Sequence, residues 1–191
     1  ASLGLIYVEK MDTFIDACKT LTAHIFTYGN MLPDTIGHNV FGVLYGSEHA
    51  EQIITVVGHL DSWDVNEGAS DDGTGVVGTI EILRAFKAIG FKPKHTIHFV
   101  LFANEENGAR GAAKYAELAK QNKELHIFAL ETDAGGFTPR GIDINTASPE
   151  SKAKLNAWLP LFKPYGVTDF GEGGGGTDIE PLQNTFGTTL A

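Results

Sequence analysis

The sequence predicts an α/β fold: a three-layer α/β/α sandwich around a mixed, mostly parallel central sheet. Two observations predict it. From residue 39 onward, short apolar strands alternate with helical stretches. Histidine and carboxylate residues also recur just past strand ends, where open α/β sheets collect their functional groups. A chain of 191 residues is long enough for one domain with a substantial core.

Taken in order, Leu3–Val8 reads as a short strand, Glu9–Thr20 as a helix and Thr22–Tyr28 as a second strand. Asn30–His38, with Pro33 and Gly37, is a loop. Asn39–Tyr45 alternates, Gly46–Ala50 turns, and Gln52–Gly58 is almost continuously apolar, a pattern that predicts an antiparallel hairpin feeding a buried central strand. Gly73–Ile89 is helical, with Val76, Ile80 and Leu83 at helical spacing and Gly90 placed to end it. His95–Phe102 is a strand, Ala109–Asn122 a helix and Leu125–Glu131 a strand. Ser148-Pro149 opens a further helix over Glu150–Leu161. The glycine-rich stretch Gly171–Gly176 reads as a loop needing unusual backbone angles or close approach to a ligand. Thr188–Leu190 looks like the start of another strand.

Composition narrows the function. Fourteen basic against 24 acidic side chains leave a formal charge of −10, which disfavours nucleic acid as a partner. No apolar run is long enough to cross a bilayer. Cys18 is the only cysteine, so there is no intrachain disulfide and no cysteine-based zinc site. The chain opens at Ala1 without a leader, which points to a processed or excised chain. The expectation is one domain over residues 1–191, with an entry segment at 1–37 and a core at 38–191, cut short at both ends.

Four loops carry candidate chemistry, each read as following a strand. In Gly58-His59-Leu60-Asp61, His59 and Asp61 are two apart on an extended chain and project to one side, so the acid could orient a ligating imidazole. Asp71 and Asp72 lie between glycines just before a helix, and either could be an N-cap or a carboxylate bridging two cations. Glu105 and Glu106 follow an apolar strand; one could ligate a metal while its neighbour handles protons. Asp133 closes a strand before Gly135 and Gly136. Each loop alone has a plain reading as a cap, a turn or a surface pair. Together they supply the nitrogen and oxygen donors that suit zinc.

These loops, in this order and with helices between them, resemble the co-catalytic zinc exopeptidases of the leucyl aminopeptidase and glutamate carboxypeptidase family. The string "GHLDSWD…GASDDGTG" most resembles the plasma glutamate carboxypeptidase (carboxypeptidase Q) branch, and "GGGGTDIEPL" matches a later active-site loop. The resemblance covers roughly residues 38–183. It implies that His59, Asp71 and Asp133 hold one zinc, and that Asp71 bridges to a second zinc also held by Glu106. Glu105 would be the general base and acid, Asp61 would orient His59, and the Asp71–Asp72 peptide bond would be cis. Two zincs would acidify a shared water and polarise the scissile carbonyl, with Glu105 carrying the proton to the leaving amine.

One departure stands out. The family completes the second zinc position with a histidine beyond the glycine-rich loop. The seven histidines here (His24, His38, His49, His59, His95, His98 and His126) all precede Asp133. The expectation is therefore one complete and one incomplete zinc position in a truncated, nearly inactive chain. Its substrate would be a small peptide, and the family implies an extracytoplasmic location, periplasmic or secreted. Two alternatives remain. One is a non-catalytic binding domain on the same fold; the other is a single-zinc glutaminyl cyclase, whose site does not call for His59.

Overall fold

The computed structural model of the chain describes residues 24, 26, 28–30, 32–133 and 135–191. The strand expected over Leu3–Val8 and the helix over Glu9–Thr20 lie outside the described residues. Of the strand expected over Thr22–Tyr28, only His24, Phe26 and Tyr28 are described, and none is in regular structure. Residues 36–63 and 67–191 form one compact unit, to which every element below belongs.

Among its described residues the strands are β1 (Val40–Leu44), β2 (His49–His59), β3 (His95–Phe102), β4 (Leu125–Glu131), β5 (Gly141–Ile144), β6 (Asp169–Glu172) and β7 (Thr189–Leu190). Five make the main sheet in the order β1-β3-β2-β4-β7, while β5 and β6 pair separately. Within the main sheet β3, β2, β4 and β7 run parallel and β1 runs antiparallel to β3, the mixed and mostly parallel sheet expected. The helices are α1 (Gly73–Ala88), α2 (Arg110–Gln121), α3 (Pro149–Asn156), α4 (Leu159–Phe162) and α5 (Glu180–Phe186).

Alternation along buried strands makes the three layers. Val56, Ile97 and Phe99 face one side and pack with Ile82, Leu83 and Phe86 of α1. Their neighbours Val57, Val100 and Phe102 face the other, against Ala112 and Ala116 of α2 and Leu182 of α5. Both faces are covered, so the central strands read as continuous apolar runs rather than alternating ones. Each large side chain buried here contributes about 1.5–3 kcal/mol.

Two of the expected elements need correction. The first two strands are not a hairpin: β1 pairs only with β3, at the sheet edge. The connecting chain crosses the start of β3 instead. There the Gly46 N–H donates to Thr96 Oγ1 at 3.1 Å, and that hydroxyl donates to the Ala50 carbonyl at 2.8 Å. The physical reason is burial. β1 is at most half-buried and suits an edge, whereas the Ile53–His59 half of β2 is almost entirely buried and takes the interior with a parallel neighbour on each side. The helix expected over Glu150–Leu161 is likewise broken, with α3 ending at Asn156 and α4 beginning at Leu159. Pro160 has no N–H to give the Asn156 carbonyl and its ring crowds it, but it fits the first turn of a new helix.

The parallel run of β2, β3 and β4 positions the site. His59 stands in register with Phe102, and Val57 with Glu131, so the chain leaves all three strands at one edge. The Asp71-Asp72 loop does not follow a strand of its own, contrary to expectation; it ends the long connection from β2 to α1.

Candidate metal centre

His59 ends β2 and is 2% exposed. Its Nδ1 lies 2.9 Å from the main-chain carbonyl of Asp61, which fixes the ring and leaves Nε2 for the cleft. Nε2 lies 3.1 Å from Asp71 Oδ1, 3.2 Å from Asp133 Oδ1 and 3.9 Å from Glu105 Oε2. Burial acts to lower the His59 pKa, but the Asp61 carbonyl, the Asp133 hydrogen bond and the Asp72 and Asp133 charges outweigh it and raise it to about 9.

Asp61 reaches His59 through its main chain, while its side chain serves another loop. Its carboxylate stands 3.9 Å from His59 Nδ1, beyond hydrogen-bonding reach. It accepts instead the backbone N–H groups of Glu105 at 3.0 Å and Glu106 at 3.2 Å. Orientation of His59 falls to the Asp61 carbonyl, and the side chain holds the loop that carries both glutamates. That loop turns on Asn104, whose φ of 68° is left-handed.

The two adjacent acids before α1 separate cleanly. Asp72 is 1% exposed and caps α1, accepting the Gly75 N–H at 2.8 Å, while its other oxygen accepts the His59 N–H at 2.8 Å. Asp71 turns to His59 Nε2 and keeps a side chain 38% exposed. The bond between them is cis, as the resemblance implied. Potential ligand atoms of His59, Asp72 and Asp133 lie within 4.8 Å of one another, as do those of His59, Glu105 and Glu106. Although Asp72 falls in that first cluster, both its oxygens already serve N–H groups, so Asp71 is the better donor.

The donor set fits a divalent cation. An imidazole nitrogen faces several carboxylates, and Glu106 Oε1 is buried without a hydrogen-bond partner. Burial and the neighbouring Asp71 and Glu105 charges push the Glu106 pKa up, as unbalanced negative charge should. Among the described residues no second histidine joins either cluster.

Two acids escaped the sequence reading. Glu131 closes β4 and its Oε2 accepts the Ile179 N–H at 3.1 Å; burial, with the Asp178 and Asp133 charges, raises its pKa to about 8. Asp178 is 1% exposed, has neither carboxylate oxygen paired, and is raised to about 7 by burial and by Glu105. Glu131 stands two residues before Asp133, and that spacing was the available signal. Beside Asp133 opens a cavity of about 610 Å³, lined by Glu131, Phe137, Ile142, Gly176 and Ala191 among others.

Comparison with known proteins gives the chain's relatives. The model of peptidase family M28 matches residues 39–187. Carboxypeptidase Q of Mus musculus is 36% identical over 171 residues, covering 90% of this chain and 36% of the relative. Carboxypeptidase Q of Homo sapiens is 40% identical over 147 residues, covering 77% and 31%. The chain thus spans about a third of the length of these curated relatives. Among solved structures, a peptidase M28 precursor from Shewanella amazonensis SB2B superposes with TM-score 0.68 at 29% identity, covering 80% of this chain and 34% of that one. BSAP, a zinc aminopeptidase from Bacillus subtilis, shares the fold at TM-score 0.62 and 22% identity, with coverage of 80% and 39%. On the match across residues 39–187 and these identities, the chain belongs to peptidase family M28.

Proposed function

We propose that this chain carries the catalytic centre of a zinc-dependent exopeptidase acting on peptide bonds at chain ends or in dipeptides. The observation that carries the reading is His59 Nε2 within 3.2 Å of both Asp71 and Asp133, with Glu105 beside them. His59, Asp71 and Asp133 would hold one zinc, and Asp71 with Glu106 the edge of a second position. Bound zinc supplies Lewis acidity, lowering the pKa of water and polarising a carbonyl.

The chain's own groups do the rest. Glu105, 13% exposed and next to the cluster, takes a proton from water on its carboxylate and returns it to the leaving amine. Asp61 holds Glu105 by its backbone, so the proton acceptor keeps its place relative to His59. No described helix is long and apolar enough to cross a membrane, and the family supports an extracytoplasmic enzyme.

With its second zinc position lacking a histidine, this stretch of 191 residues should turn over little by itself, so the test is hydrolysis of dipeptides and amino-acyl amides by a zinc-loaded protein of the relatives' length that contains it, against Glu105→Gln in the same protein. The Gln variant should bind zinc normally and lose at least about 100-fold in kcat. Equal turnover by the two, or no zinc uptake by either, would overturn the reading.

A further inference from the structure

We propose that Glu131 is a positioning residue, whose carboxyl group clasps the Gly173–Ile179 loop to the end of β4 and so fixes one wall of the cavity beside Asp133. Its catalytic meaning rests on the zinc-exopeptidase reading above, but the clasp itself does not.

Four observations converge on it. The Ile179 N–H, at the start of α5, donates to Glu131 Oε2 at 3.1 Å and is shared with the Gly176 carbonyl of its own loop at 3.2 Å. A side chain at Gly176 would stand where the Glu131 carboxyl group lies, so loop and carboxyl fit only because position 176 is glycine. Gly173, Gly174 and Gly175 have φ of 87°, 75° and 107°, left-handed angles that bring the chain back to β4. Main-chain bonds also anchor this strand end: Glu131 N–H donates to the Ala191 carbonyl at 2.9 Å, and Ala191 N–H to Ala129 at 2.9 Å.

Glu131 differs from the ligand-type acids. Among the described residues it joins neither cluster of potential ligand atoms around His59. Its Oε1 is buried and unpaired, so the carboxyl group is held inside the fold and not turned to solvent. Yet Glu131 and Gly176 line the same cavity as Asp133, Phe137 and Ile142. Freeing the loop would therefore change the shape of the cavity without removing a ligand.

The experiment needs no turnover. Amide hydrogen exchange at Ile179 and zinc affinity are measured on the wild-type chain, Glu131→Ala, Glu131→Gln and Gly176→Ala, with the Val57 and Val100 amides reporting global unfolding. Glu131→Ala should raise Ile179 exchange at least about tenfold while Val57 and Val100 exchange and zinc affinity stay within about threefold. Glu131→Gln keeps an acceptor oxygen and should restore protection; Gly176→Ala, which displaces the carboxyl group, should reproduce the loss. Unchanged Ile179 exchange in Glu131→Ala overturns the proposal. So does a loss of zinc affinity in both Glu131 variants equal to that of Asp133→Asn, which would make Glu131 a ligand. Absence of zinc binding in the wild type would count against the exopeptidase reading alone, leaving the exchange result to judge the clasp.

Discussion

The carboxylate of Asp61 accepts the backbone N–H of Glu105 at 3.0 Å across 44 positions of sequence, joining the end of β2 to the loop after β3. With the second bond from Glu106, one side chain locates both glutamates. Asp61→Ala removes two charge-assisted bonds and should lower stability by about 2–3 kcal/mol. Asp61→Asn should recover only part of this, since its amide nitrogen would face an N–H group. Urea unfolding of the metal-free protein measures it, and an unaltered midpoint in Asp61→Ala would remove Asp61 from this role.

Asp71 and Asp72 should fail in opposite ways. Asp71→Asn should weaken zinc binding at least about 100-fold, more than the loss of an outer-sphere partner, with little effect on the metal-free fold. Asp72→Asn keeps one acceptor and loses the other, costing about 1–3 kcal/mol as a buried N–H of His59 or Gly75 goes unpaired. Competition with a chromophoric chelator and thermal melts, run on both variants, separate the two roles. The reverse pattern would exchange the assignments.

A proton should leave when zinc arrives. Metal-free His59 titrates at about 9, so at neutral pH its ring is protonated and must lose that proton to bind a cation. Zinc affinity should then rise about tenfold per pH unit up to about pH 9 and flatten above it. Calorimetry in two buffers of different ionisation enthalpy reads the proton directly, and uptake without release would contradict this account of His59.

Acid should loosen the α2 side of the sheet. His126 is 1% exposed, its Nδ1 2.8 Å from Thr55 Oγ1 and its Nε2 3.3 Å from Glu124. Burial lowers its pKa to about 4, against the usual 6.5. The unfolded chain therefore binds the proton first, and stability present above pH 6.5 is lost as pH falls toward 4, by about 3 kcal/mol. His98, also lowered by burial, adds in the same direction. Denaturation midpoints at pH 7 and pH 5 test the sign, and the fall should shrink in His126→Gln.

Much of this was legible in the sequence because the core strands announce themselves. The apolar runs ending at Gly58, Phe102 and Glu131 marked β2, β3 and β4, and with them the edge where the donors gather. Pairing was not legible: nothing within Asn39–Tyr45 says that its partner is β3, because an edge strand chooses its neighbour through burial elsewhere. Residue type brought Asp61 to notice but could not say that its carboxylate serves backbone N–H groups while its carbonyl serves the imidazole. Bare sequence also left Asp71 and Asp72 open; cap geometry and exposure divide them. The short elements β5, β6 and α5 carry too few residues for periodicity to register.

The parallel strands that bring the donors to one edge also set when the centre can exist. His59 and Asp133 meet across 74 positions, with α1, β3, α2 and β4 formed between them. Parallel pairing is non-local and late to form, so no early, partly folded chain presents this set of atoms to a cation. Tight zinc capture during refolding would thus lag behind the burial of Val57 and Phe102, timing the last stage of sheet assembly.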